Sequence, residues 1–202
     1  MGLARTARLD AVNTMLSVIG EAPVNTLDAS SQTTDVAMAK SMLDEVSREV
    51  QAHGWHFNRE YEVSLIPDAS NNIAIPSNAA RIDVEPADSR TKQYVQRGDK
   101  LYNKTDQTFT ITAAKKCTIT YMLDWDDLPE TARQYIMIRA ARKYQDRVVG
   151  SEKHHVFSGR DEMSALAALR SSEADAGDFT IFDNYDVYRV IDRGNVRNQV
   201  SH

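Results

Sequence analysis

The chain has a single cysteine, Cys117, among 202 residues, so no disulfide can form within it. A lone thiol fits synthesis in a reducing compartment. No apolar run approaches the roughly 18 residues that a membrane-spanning helix needs. The opening MGLARTARLD also lacks the apolar stretch of a secretory signal. The expectation is a soluble protein made inside a cell. Positive charge is in deficit, with 24 Lys and Arg against 29 Asp and Glu and a net charge of −5. The molecule as a whole therefore repels nucleic-acid phosphates, and any contact with DNA must be local or non-adhesive. There is no Gly-rich phosphate loop and no nucleophile elbow. HGWH (53–56) with His154 and His155 matches no standard zinc spacing, so these histidines are read as structural or exposed. No cofactor, metal or catalytic activity is expected from such a chain.

What is present is ordinary globular material, 42% hydrophobic and 26% charged, and long enough to bury a sizeable core. Leu9, Val12, Met15, Leu16 and Ile19 fall on one face of a first helix. Gly20 suits the left-handed position just past its end, and Pro23 prevents resumption. Thr33, Thr34 or Asp35 can cap a second helix, in which Val36, Ala39, Leu43, Val46 and Val50 step by three and four. That helix is expected to stop near Gly54.

The period then changes to two. Trp55 and Phe57 alternate, as do Tyr61, Val63 and Leu65, and this predicts strands. Ile73 and Ile75 form one more short alternation among Pro67, Pro76 and Pro86. YVQRGDKLYN (94–103) reads as two strands around a Gly-Asp turn, and TFTIT (108–112) and TITYML (118–123) as further strands. Helix returns at DWDDLPETARQYIMIRAARKYQDRVVG (124–150). Asp126 or Asp127 can cap it, and Pro129 and Glu130 suit its first turn. Ala132, Ile136, Ala140, Tyr144 and Val148 line one face. A fourth, Ala-rich helix is expected across about 160–174, followed by an irregular tail with aromatics set among acids.

The expected fold is α+β, a discontinuous bundle of about four helices with an inserted β-rich region. Its parts are residues 1–56 with 125–176 as the bundle, 57–124 as the β insertion and 177–202 as a C-terminal arm. Three surfaces are candidates for function. The acidic cluster Asp124, Asp126, Asp127 and Glu130 could supply paired carboxylates for glycan hydrolysis, or simply cap a helix. Arg139, Arg142 and Lys143, with Arg147 at the margin, form a basic stripe open to an acidic partner or to solvent. Arg97, Asp99 and Lys100 sit at the hairpin turn, where Arg97-Gly98-Asp99 is read as turn chemistry rather than an adhesion signal.

An ordered set of segments carries a resemblance. DAVNTMLSVIGEAPVNTL (10–27), REVQAHGWHFN (48–58), LIPDASNNIAIPSNAARID (65–83), YVQRGDKLYN (94–103) and the helix beginning at Asp124 resemble, in that order, the tail tubular protein A family of short-tailed, T7-like bacteriophages. The resemblance spans roughly residues 8–175. It implies a structural adaptor of the virion tail, made in the host bacterial cytoplasm, that forms a homo-oligomeric ring of twelve beneath the portal protein. It further implies a nozzle partner, tail tubular protein B, below the ring. Genome DNA would pass through the channel without specific binding, and no membrane is involved. Phe179, Tyr185, Tyr188 and Ile191 in the tail are the expected anchors for a partner, since aromatics dominate interface energetics. The alternative from another class is a virion glycan hydrolase that uses the Asp124–Glu130 carboxylates.

Overall fold

A computed structural model describes residues 4–28, 33–85, 93–148, 150 and 152–177, with side chains described for all of these except 152–158. It is an α+β protein. Helix α1 (Arg8–Ser17) buries Ala11, Val12, Met15 and Leu16. It closes with Gly20 at φ +83°, Glu21 N–H bonded to Leu16 O and Gly20 N–H to Ser17 O, the paired bonds of a Schellman cap. Helix α2 (Thr34–Ala52) starts at Thr33, whose Oγ1 accepts from Val36 N–H, and all five seam residues are buried. The two helices pack with α3 (Glu130–Val148) and α4 (Glu152–Gly177) around one apolar cluster centred on Met15, Leu43, Val46, Ile136 and Tyr144.

Between α2 and α3 lie five strands. β1 (Arg59–Leu65), β5 (Lys115–Tyr121) and β2 (Ala79–Val84) form an antiparallel sheet in the order β1-β5-β2. β3 (Tyr94–Arg97) and β4 (Lys100–Asn103) make a hairpin with Arg97 opposite Lys100. Gly98 at φ +62° occupies the first turn position, where a two-residue loop needs a left-handed residue. Ile73, Ile75, Val84, Leu101, Ile111, Cys117 and Ile119 form a second apolar cluster. Ile73 and Ile75 enter it because their segment docks on the hairpin: Leu101 N–H donates to Ile73 O and Ile75 N–H to Asp99 O.

Four local expectations are corrected. Trp55 and Phe57 do not start a strand. Gly54 turns left-handed, and His56–Asn58 forms a 3-10 turn held by Trp55 N–H donating to Asn58 Oδ1, so both rings fold back on the helical cluster. Within β1 a bulge between Glu60 and Val63, with Glu62 at φ +54°, throws Tyr61 outward while Val63 and Leu65 stay inward. TFTIT (108–112) contributes only a bridge from Thr108 to Asn103. The Asn103 Oδ1 accepts from the Thr105 and Asp106 amides and makes a side-chain turn where pairing would otherwise continue. Val148, assigned to the inner face of α3, is 45% exposed as the last residue of the helix, two before the left-handed Gly150.

Candidate functional site

The acidic cluster is resolved into two kinds of carboxylate. Asp124, Asp126 and Asp127 are exposed around a 3-10 turn. Glu130 instead grips the N-terminal segment: Thr6 N–H donates to Oε2 at 2.9 Å and the Thr6 hydroxyl to Oε1 at 2.5 Å, while Gln134 donates to both Glu130 and the Thr6 hydroxyl. The Thr6 carbonyl in turn accepts from Trp125 Nε1 and Arg133 Nη1. Arg133 is 3% exposed and also donates to the Leu128 and Asp126 carbonyls, so its charge is buried among backbone acceptors. Burial raises the Glu130 carboxyl, but the hydrogen bonds from Gln134 and Thr6 outweigh it and leave its pKa lowered. A glycosidase acid must hold its proton, which requires a raised pKa. Glu130 is built as an anchor instead. Thr6, Arg133 and Gln134 carried no motif that could have singled them out.

One prediction follows from that sign. A carboxyl whose folded pKa lies below its unfolded value of about 4.3 stabilises fully above that value and loses the contribution as pH falls through the folded pKa. Glu130→Gln is expected to cost about 1–2 kcal/mol near neutral pH, with the gap to the parent closing below about pH 4. Urea denaturation across pH 3–7 reads this directly, and a gap that is constant with pH would refute it.

The basic stripe faces inward more than outward. Arg139 donates to Glu49 and to Glu162, each at 2.5 Å, and Lys143 donates to Glu49 at 2.5 Å. Arg142 pairs with Glu162 and, at 3.2 Å, with Asp146. Arg147 approaches Glu45 at 3.9 Å. Burial opposes the Arg139 charge, yet the hydrogen bonds it donates to Glu49 and Glu162 hold its pKa above the usual guanidinium value. The same contacts, led by Lys143, lower Glu49 against its own burial. The stripe thus clamps α3 to α2 and α4.

The hairpin turn is open. Arg97 and Asp99 are exposed, Lys100 is half-buried, and the Arg97 guanidinium lies 3.7 Å from the centroid of the Tyr102 ring. Phe109 meets Tyr102 edge-on at 4.9 Å and, with Val95, remains over a third exposed. Val95 pairs with Tyr102 across the hairpin, so cation, rings and valine share one surface. Phe109 was missed in the sequence because the strand expected there does not form. Phe179, Tyr185, Tyr188 and Ile191 lie outside the described residues, as do the side chains of His154 and His155. Among the described residues no His, Cys, Asp or Glu cluster is placed to hold a metal, and no helix is long and apolar enough to cross a membrane.

Comparison with known proteins converges on one family. The family model described as tail tubular protein matches residues 9–179. A curated relative, tail tubular protein A of Klebsiella phage KP34, is 30% identical over 163 residues, which covers 80% of this chain and 84% of the relative. On that match across both helical ends and the strands between them, the chain belongs to the tail tubular protein family.

Proposed function

We propose that this protein is a non-enzymatic adaptor of a phage tail, one subunit of a ring of twelve that joins the portal to the nozzle and surrounds the path of the genome. The observation that carries the reading is the family match across residues 9–179. Two features of the chain support it. The basic stripe of α3 is engaged by Glu49, Glu162 and Asp146, and the chain carries a net charge of −5. A ring of such subunits offers passing DNA little to adhere to. Subunits of a closed ring meet through heterologous contacts, one surface against a different one. The hairpin surface around Arg97, Asp99 and Lys100 and the tail rings Phe179, Tyr185, Tyr188 and Ile191 are the surfaces assigned to partners.

The test is assembly. The purified chain mixed with its portal ring should add a further ring of density beneath the portal in electron micrographs. Replacing Phe179, Tyr185 and Tyr188 together by alanine should reduce that addition at least tenfold in a co-sedimentation titration, with the circular dichroism of the subunit unchanged. A folded parent chain that never adds to portal would sink the adaptor reading. A triple variant that adds normally would sink the tail assignment alone.

A further inference from the structure

Two adjoining cavities share Gly54 and Trp55. The larger, about 460 Å³, lies between the end of α2, α3 and α4 and is lined by His53, Trp55, Tyr135, Arg139, Leu166 and Arg170 among others. The smaller, about 230 Å³, continues past His56, Arg59 and Tyr61 to Glu173 and Ala174. Together they form a groove alongside α4 from Leu166 to Ala174. Its rings include Tyr61, which is 57% exposed. Gly54 keeps the floor open: a Cβ there would come within 2.5 Å of the Arg59 guanidinium.

Arg170 and Arg59 line the groove together with Glu173, while Arg139 is already engaged by Glu49 and Glu162. Helix α4 ends at Gly177, about one turn beyond Ala174, so the chain leaves it at the mouth of the groove. The next fifteen residues read DFTIFDNYDVYRVID (178–192), with Phe179, Phe182, Tyr185 and Tyr188 at every third position and four aspartates against one arginine. From Gly177 back to Leu166 is roughly 16 Å along a helix, whereas fifteen residues can extend over about 50 Å. Reach, charge and aromatic content all match.

We propose that residues 178–192 dock in the groove of their own subunit, with their rings against Trp55 and Tyr61 and their aspartates toward Arg59 and Arg170. A portal that engages the same rings must displace them from this groove, but the docking itself requires no portal.

The full chain tests this with cysteine pairs, since Cys117 is buried. Asn184→Cys is combined with His53→Cys or Arg170→Cys in the groove, and with Ser17→Cys, which is exposed and lines neither cavity, as the reference. Disulfide formation at either groove position is expected to be at least tenfold faster than at Ser17, to give a monomeric product, and to slow when Asp183→Asn and Asp186→Asn are added. Equal rates at groove and reference positions would overturn the proposal. A dimeric product would overturn it in favour of a second copy's segment. Hydrogen exchange supplies a readout free of engineered cysteines. Amides of residues 53–59 should lose protection in the Phe182→Ser, Tyr185→Ser variant, and unchanged protection there would also overturn it.

Discussion

Glu162→Ala should lower stability by roughly 2–4 kcal/mol and bring the thermal midpoint down by roughly 6–12 °C in a chain of this size. Glu162 is 9% exposed and accepts from Arg139 Nη1 and Arg142 Nε, whose side chains are 23% and 20% exposed. Removing the carboxylate takes from two partly buried cations the acceptor they share, leaving Arg139 to Glu49 and Arg142 to Asp146. Breaking a partly buried pair from one side costs more than the intact pair is worth. Among the described side chains of α4, Leu169 is buried in the helical cluster with Ala165 and Leu166 partly buried beside it, and the charge clamp adds to that attachment. Glu162→Gln is expected to cost about half as much, because an amide oxygen can still accept from one guanidinium. Adding Arg142→Ala to Glu162→Ala should recover part of the loss, as expected for groups in one network. Thermal unfolding followed by circular dichroism gives all three values, and a Glu162→Ala variant within about 0.5 kcal/mol of the parent would show that the cluster is solvated.

That clamp marks where a sequence stops being readable. Val36, Ala39, Leu43, Val46 and Val50 announce their burial because a 3.6-residue period reports which face is inner, and all five are buried. The Gly98-Asp99 hairpin is equally local, since its turn chemistry sits within ten residues. Arg139, Arg142 and Lys143 fall on a polar face by the same period, yet a period cannot say that Glu49 and Glu162 arrive opposite them. Glu49 lies 90 residues before Arg139 in the chain. The acidic cluster failed to be legible for the same reason: Glu130 fits a first helical turn by composition, and only the fold brings Thr6 onto it from 124 residues away. Alternation misled at Trp55 and Tyr61 because a positive-φ glycine and a bulge reset the phase, and neither changes the composition of the stretch. The family resemblance came through all of this, because it rests on the order of short segments rather than on what each touches.

Asn58 sits where the helical and β parts are sewn together, and its replacement is the second large effect. It is 2% exposed, yet its Nδ2 donates to Gln51 O at 2.9 Å and Tyr121 O at 2.7 Å, while its Oδ1 accepts from Trp55 N–H at 2.8 Å. Gln51, also 2% exposed, completes the seam by pairing its side-chain amide with both the N–H and the carbonyl of Leu123. Two side-chain amides thereby bind backbone groups at the end of α2, at Tyr121 and at Leu123. Asn58→Ala takes the partner from the Trp55 N–H and the Tyr121 carbonyl, while Gln51 O keeps the Gly54 N–H, and about 1 kcal/mol for each of the first two gives an expected loss of about 2 kcal/mol in urea denaturation. Asn58→Asp should be worse at neutral pH, since a carboxylate would face the Gln51 and Tyr121 carbonyls in place of a donor. Its folded pKa would be raised by that repulsion and by burial, so its deficit should shrink as pH falls and the acid regains a proton to donate. Because Trp55 forms the wall of the groove beside α4 and takes its position from Asn58, the Ala variant should also speed hydrogen exchange across residues 53–59. A variant that unfolds at the parental urea midpoint would mean that water replaces all three bonds, and the seam would then rest on the apolar contacts of Trp55 and Phe57 alone.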